Sequence, residues 1–206
     1  MSGHSCIAII AVNERARCKT RLGALLGPER RAGLARAMLE RVLGAASAAP
    51  MVDTVLVVSP ERDRIPSDIP VIHDSGCDLN AAFDVGRRAA RERGATDLLL
   101  LPADLPLLRA VDLCRLVQAG RGGCVAIAPD RHGRGTNGLY IPAEAPFALR
   151  FGPDSCARHE AESRRLGAPA QRVRTPGLQA DLDTAEDMPA LLANLRWSAA
   201  LAPAAT

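Results

Sequence analysis

Short apolar runs of strand length alternate along this chain with longer amphipathic stretches, and that alternation limits the possible folds more than any single residue does. Residues 6–12, 52–59, 69–73, 97–101, 124–129, 138–142 and 171–174 read as strands. Residues 28–48, 80–93, 110–119, 155–166 and 184–195 carry helical periodicity, and the first of these opens on Pro28, where a missing N–H costs nothing. Strands that alternate with helices build a mostly parallel sheet covered on both faces, so a Rossmann-like three-layer α/β/α fold is expected. With 206 residues, no internal repeat and no linker rich in Gly, Ser or Pro, a single domain over 1–197 is expected, followed by a frayed Ala- and Pro-rich tail at 198–206.

A chain of this length buries roughly 70% of its unfolded surface on folding, so it needs no covalent staples. The six cysteines are scattered, with no Cys-x-x-Cys pair and no Cys/His cluster at zinc spacing, and read as reduced thiols. The opening residues lack the basic region and cleavage site of a signal peptide, and no apolar run approaches the length of a membrane span, so a soluble cytoplasmic protein is expected. A net charge of +3 is modest, and with aromatics at 2% the chain lacks the stacking platforms of a single-strand nucleic-acid binder. Lys19 is the only lysine among 26 basic residues. Arginine suits bidentate phosphate and carboxylate contacts, which fits anionic small molecules, although a general Arg-for-Lys bias explains the same count. Oligomeric state leaves no trace in the sequence.

Five segments carry residues that packing alone does not explain. Asp104 emerges between Pro102 and Pro106, just after the run Leu98 to Leu101. In an open α/β sheet, ligands bind outside the carboxyl ends of strands, so this carboxylate is aimed at a ligand or metal, unless it caps the next helix. The loop from Asn13 to Leu22 holds Arg15, Arg17, Lys19 and Arg21, and can wrap a triphosphate with Lys19 and Arg21 as clamps; it lacks the Walker A glycines, and a solvated basic loop is the bland alternative. Gly133 to Gly138 formally matches Gly-x-Gly-x-x-Gly, but a strand and not a helix comes after it, which rules out a dinucleotide site. The segment then reads as a turn that lets backbone approach a ligand, with Thr136 and Asn137 supplying polar contacts, or as a plain hairpin turn.

Phe151-Gly-Pro-Asp-Ser155 opens a helix with Asp154 or Ser155 as its cap. Its free N–H groups offer an anion site, Gly152 clears space, and His159 lies one turn on from Ser155. Near the end, Asp181 and Asp183 sit two residues apart before a capping box at Thr184 to Asp187. In an extended segment both carboxylates point the same way, and with Asp104 they form an oxygen-rich set of the kind Mg²⁺ uses.

Lys19-Thr-Arg-Leu22, Leu101-Pro-Ala-Asp-Leu-Pro106, Ala128 to Asn137, Phe151-Gly-x-x-Ser155 with His159, and Asp181-Leu-Asp-Thr184 together resemble the CofC/FbiD family of guanylyltransferases, over nearly the whole chain. That family is similar to MobA-type nucleotidyltransferases. The resemblance implies transfer of GMP from GTP to a phosphorylated three-carbon acid (2-phospholactate, phosphoenolpyruvate or 3-phosphoglycerate), with release of pyrophosphate, in the biosynthesis of a deazaflavin coenzyme. It implies that Asp104, Asp181 and Asp183 hold magnesium and that Thr136, Asn137, Gly152 and Ser155 bind the acid. Lys19, Arg21, Asn80 and Asp104 would then face the nucleotide, with Lys19, Arg21 and Asp104 carrying the catalysis. The chain departs from the family's usual pattern at Ala11 and Asn13, where Pro and Lys are usual, and at Asp78, where Gly usually precedes Leu-Asn. The competing expectations are a MobA-like enzyme acting on another phosphorylated substrate, a glycosyltransferase using Asp181-x-Asp183, and a nucleotide-binding homologue without activity.

Overall fold

A computed structural model describes residues 4–12, 26–63, 65–74 and 78–182. Seven strands, β1 (Cys6–Ala11), β2 (Thr54–Ser59), β3 (Val71–His73), β4 (Asp97–Pro102), β5 (Val125–Pro129), β6 (Thr136–Pro142) and β7 (Ala170–Arg172), form one sheet in the order β3-β2-β1-β4-β6-β5-β7. β1 pairs in parallel with β2 and β4, β2 with β3, and β5 with β7, while β6 runs antiparallel to both β4 and β5. Helices α1 (Pro28–Ser47), α2 (Leu79–Glu92), α3 (Ala110–Gly120), α4 (Ser155–Arg165) and the short α5 (Pro176–Gln179) connect and cover them.

Side chains alternate across the pleat, so each inner strand feeds two cores at once. On one face Ala8 and Ile10 of β1, Leu99 and Leu101 of β4, and Ala126 and Ala128 of β5 pack with Leu39 and Val42 of α1 and Leu113 and Leu116 of α3. On the other, Ile7 and Ile9, Leu98 and Leu100, and Val125 and Ile127 pack with Phe83 and Ala90 of α2 and Cys156 of α4. Both faces of the sheet are therefore covered, which is why β1 and β4 read as unbroken apolar runs rather than as alternating ones.

The expected three-layer architecture is the one observed. β6 begins two residues sooner than its apolar pattern suggests, so Thr136 and Asn137 belong to a strand and not to a turn; Pro129 pairs with Thr136 across a register shift. The connection from β5 to β6 is a hairpin, and a strand succeeds its glycines, so no helix start is present there for a dinucleotide. The last expected helix, 184–195, and the tail from 198 lie outside the described residues. Among the described residues no helix is long and apolar enough to cross a membrane.

Candidate functional site

β4 carries its chain to the carboxyl edge of the sheet and ends at Pro102. Beyond it, Ala103, Leu105 and Leu108 turn back into the core and leave half-buried Asp104 between two buried neighbours. Asp104 is not a helix cap: α3 begins at Ala110, and the carboxylate closing its start is Asp112, whose Oδ2 accepts from the Arg109 N–H at 2.9 Å.

Because β6 is antiparallel, its first residues, not its last, reach this same edge. Leu100 pairs with Leu139, so the register continued by two residues sets Asn137 level with Pro102. Thr136 and Asn137 are both buried, at 7% and 5% exposure. Asn137 Nδ2 donates to the Leu178 carbonyl at 2.9 Å, which ties β6 to α5. From there the chain runs through half-buried Asp181 to Leu182, which is buried against Leu26, Leu34 and Met38 at the start of α1. Asp181 is thus anchored on both sides, on a segment crossing from β6 toward the point where the β1 to α1 connection returns at Leu26.

The hairpin turn before Thr136 is built on Asp130. Its Oδ1 accepts from the Arg134 N–H at 2.8 Å and its Oδ2 from the Gly135 N–H at 2.9 Å, while its carbonyl accepts from the Gly133 N–H at 3.0 Å. The Arg134 carbonyl then accepts from the Cys156 N–H at 2.9 Å, so the turn rests on the first residues of α4. Asp154 is the N-cap position of α4, in the left-handed region at φ 55°, and its carboxylate pairs with Arg134 Nε at 2.9 Å instead of capping the helix. Ser155 is the first helical residue, buried, its N–H donating to the Gly152 carbonyl at 3.1 Å. Gly152 has φ 121°, which an L side chain rarely adopts, and open space lies where its Cβ would be.

The irregular segment from Ala143 to Asp154 is held by side chains that bond to its backbone. Arg91 and Arg87 donate to the carbonyls of Ala143 and Phe147 at 2.7 Å each, and Glu162 accepts from the Ala148 N–H at 2.9 Å. Asn80 grips Phe151 twice: its Oδ1 accepts from the Phe151 N–H at 2.7 Å and its Nδ2 donates to the Phe151 carbonyl at 3.2 Å. Asp78, where the family usually has glycine, accepts from the Asn80 N–H at 2.8 Å and caps α2. Sequence reasoning assigned Asn80 to the nucleotide and missed this tether; it also passed over Asp130, although an Asp five residues before a Gly in a turn is an Asx-type signal.

His159, fully buried, accepts at Nε2 from the Arg150 N–H at 3.0 Å, and its Nδ1 lies 3.0 Å from Thr136 Oγ1. Phe151 meets the ring edge-on at 4.9 Å and Phe147 lies at 5.8 Å, between centroids. Burial among these rings pushes the imidazole pKa down to about 4, against a smaller upward pull from Glu162.

Thr136, Asn137, Gly152 and Ser155 are therefore brought into one connected corner, with Asn80 bracing it from α2. Asp104 and Asp181 lie on segments that reach the same sheet edge. Lys19, Arg21 and Asp183 lie outside the described residues, and among the described residues no three His, Cys, Asp or Glu side chains come together in a way that could hold a metal ion.

The seven-stranded, mostly parallel sheet is a fold shared with solved nucleotidyl transferases. A nucleotidyl transferase from Methanothermobacter matches the fold with a TM-score of 0.69, covering 92% of this chain and 96% of that one at 18% identity. The family model described as "Guanylyl transferase CofC like" matches residues 6–194, and the chain belongs to that family of guanylyl transferases. A phosphoenolpyruvate guanylyltransferase from Rubrobacter xylanophilus is 40% identical to it over 195 residues, 92% of this chain and 95% of the relative. Another from Sphaerobacter thermophilus is 37% identical over 186 residues, 88% and 90% of the two chains.

Proposed function

We propose that this guanylyl transferase moves GMP from GTP to phosphoenolpyruvate with release of pyrophosphate, as a magnesium-dependent step of coenzyme F-420 biosynthesis. The observation that carries this reading is the corner formed by Thr136, Gly152 and Ser155: β6 and the start of α4, distant in sequence, are joined through His159, and nothing lies within 4 Å of where a Gly152 Cβ would stand. The Thr136 and Ser155 hydroxyls suit a small carboxylate. The names of the relatives at 37–40% identity support phosphoenolpyruvate among the three candidate acids.

Magnesium fits the donor chemistry. Asp104 and Asp181 are hard oxygen donors on segments that meet the same edge, and Asp183 comes two residues later, a set suited to a cation that takes a few carboxylates, waters and substrate phosphates. Bound there, magnesium would neutralise the phosphates and make the α-phosphorus more electrophilic. The remaining tasks fall to the chain's own residues. Thr136, Gly152 and Ser155 hold the acid by its carboxylate and turn its phosphate toward the nucleotide, while Lys19 and Arg21 clamp the triphosphate and stabilise charge on the departing pyrophosphate.

An oxygen of the acid's phosphate forms the new bond to the α-phosphorus of GTP as the bond to the oxygen bridging toward the β-phosphate breaks. The attacking phosphate is already ionised at neutral pH, so no general base is required, and none of these residues plays that part. Incubation with GTP, Mg²⁺ and each of the three acids in turn, with the product identified by mass, tests the reading. A guanylylated phosphoenolpyruvate supports it; product from only another acid reassigns the substrate; GTP binding without pyrophosphate release identifies an inactive homologue.

A further inference from the structure

Two groups in the corner face His159, and only one of them leaves a choice about hydrogens. The main-chain nitrogen of Arg150 can only donate, so Nε2, 3.0 Å away, accepts through its lone pair. The ring is neutral, since burial holds its pKa near 4, and its single N–H hydrogen must therefore sit on Nδ1. Nδ1–H then donates to Thr136 Oγ1 at 3.0 Å. Having accepted that hydrogen, the hydroxyl has its own hydrogen left to give, and among the described residues no acceptor for it is found. In the other tautomer the direction reverses: Thr136 would spend its hydrogen on Nδ1 and have only lone pairs left to offer a ligand.

We infer that His159 is a positioning residue which sets the polarity of the acid subsite: the Arg150 N–H fixes its tautomer, and the tautomer makes Thr136 present a hydrogen-bond donor to the substrate's carboxylate. This rests on the proposed role of Thr136 in binding the acid. Donors aligned in series polarise one another, so the chain from Arg150 through His159 to Thr136 strengthens the last bond when an anion accepts it. His159 also ties together the three pieces of the corner: β6 through Thr136, the segment before Gly152 through Arg150, and α4, on which it sits one turn after Ser155. Both of its hydrogen-bond partners belong to the corner proposed to bind the acid, so its effect should fall on that substrate.

Long-range ¹H–¹⁵N spectra of the wild-type protein, free and with the acid bound, test the first half. Nδ1 protonated and Nε2 unprotonated at neutral pH is the expected pattern; a protonated Nε2 overturns the inference whatever the variants do. Steady-state kinetics test the second half. Thr136→Val should raise the KM of the acid about tenfold or more, the scale of one hydrogen bond to a charged group, and leave the KM of GTP within about twofold. His159→Phe should do the same, and on the Thr136→Val background should add almost nothing, because the two act through one bond.

His159→Asn, whose amide nitrogen reaches the place of Nδ1, should recover most of the affinity, whereas His159→Gln, which reaches the place of Nε2, should not. If Thr136→Val leaves the acid's KM unchanged, both the pocket reading and this inference fall. If Thr136→Val raises it and the His159 variants, folded by thermal melt, do not, the pocket reading stands and the inference alone falls. The inference alone also falls if His159→Phe and Thr136→Val add independently, or if Asn and Gln behave alike.

Discussion

Replacing Asn80 by alanine separates two accounts of the same residue. As a tether, Asn80 accepts from the Phe151 N–H at 2.7 Å and donates to the Phe151 carbonyl at 3.2 Å, and Phe151 is only 7% exposed. Truncation strands a buried N–H, which costs about 1–3 kcal/mol, and removes a second, longer bond worth about 0.5–1.5 kcal/mol. The sum is about 1.5–4.5 kcal/mol, taken from the segment that leads directly into Gly152 and, through its carbonyl, Ser155. Urea unfolding should report a large part of that loss. The remainder should appear as a raised KM for the acid, tenfold for each 1.4 kcal/mol spent re-ordering the loop. Asn80→Asp keeps the acceptor and forfeits the donor, so it should recover the larger share. A stability within about 0.5 kcal/mol of wild type, the scatter of ordinary surface substitutions, combined with a rise only in the KM of GTP, would refute the tether and return Asn80 to the nucleotide.

Asp104→Asn removes one charge from the proposed magnesium set and should lower turnover about a hundredfold or more, on the scale of losing one preorganised electrostatic element, while the melting temperature holds; near-normal pyrophosphate release would sink the assignment. Gly86→Ala tests the packing of α2 on the sheet, since its Cβ would lie 2.5 Å from Ile9 Cγ2 and 2.9 Å from Val58 Cγ2; urea midpoints should show a loss of about 1–3 kcal/mol. Acid should destabilise the protein through His159. Its pKa falls from 6.5 to about 4 on folding, so below 6.5 the unfolded chain takes up a proton that the folded one refuses. That stability is present above pH 6.5 and is lost as pH falls toward 4, by about 3 kcal/mol in all, and His159→Phe should flatten the slope of unfolding free energy across that window.

The sheet was legible because its inner strands are buried on both faces, so that runs such as Leu98 to Leu101 stand out against amphipathic helices. The beginning of β6 was not, because Thr136 and Asn137 are polar: they are buried by bonding to His159 and Leu178 rather than by being apolar, and a hydrophobicity pattern cannot register that. α5 spans four residues, too few for a period to show, and its one signal is Thr175 before Pro176, a cap followed by proline at the first helical position. Asp104 was visible as an acid where packing wants none. His159 was half visible: its spacing from Ser155 put both on one face of α4, but its two partners come from β6 and from a segment with no regular structure, and contacts across that distance in sequence are set only by the tertiary fold.

The reversal of β6 is what makes the corner possible. In a purely parallel sheet every strand delivers its last residue to the carboxyl edge, and the loop beyond it must supply the ligand contacts. Here one strand runs the other way between β4 and β5, so its first residues arrive at that edge, with Thr136 held in register against Pro129 of β5. Thr136 consequently sits on the sheet itself, level with the end of β4 and the segment bearing Asp104. A hydroxyl fixed in a strand and oriented by a buried imidazole has little freedom left to lose when a substrate binds, whereas the same group on a turn would have to be ordered each time. On the proposed assignment, the acid's carboxylate would rest on this rigid element and the small substrate would define where the reacting phosphate stands.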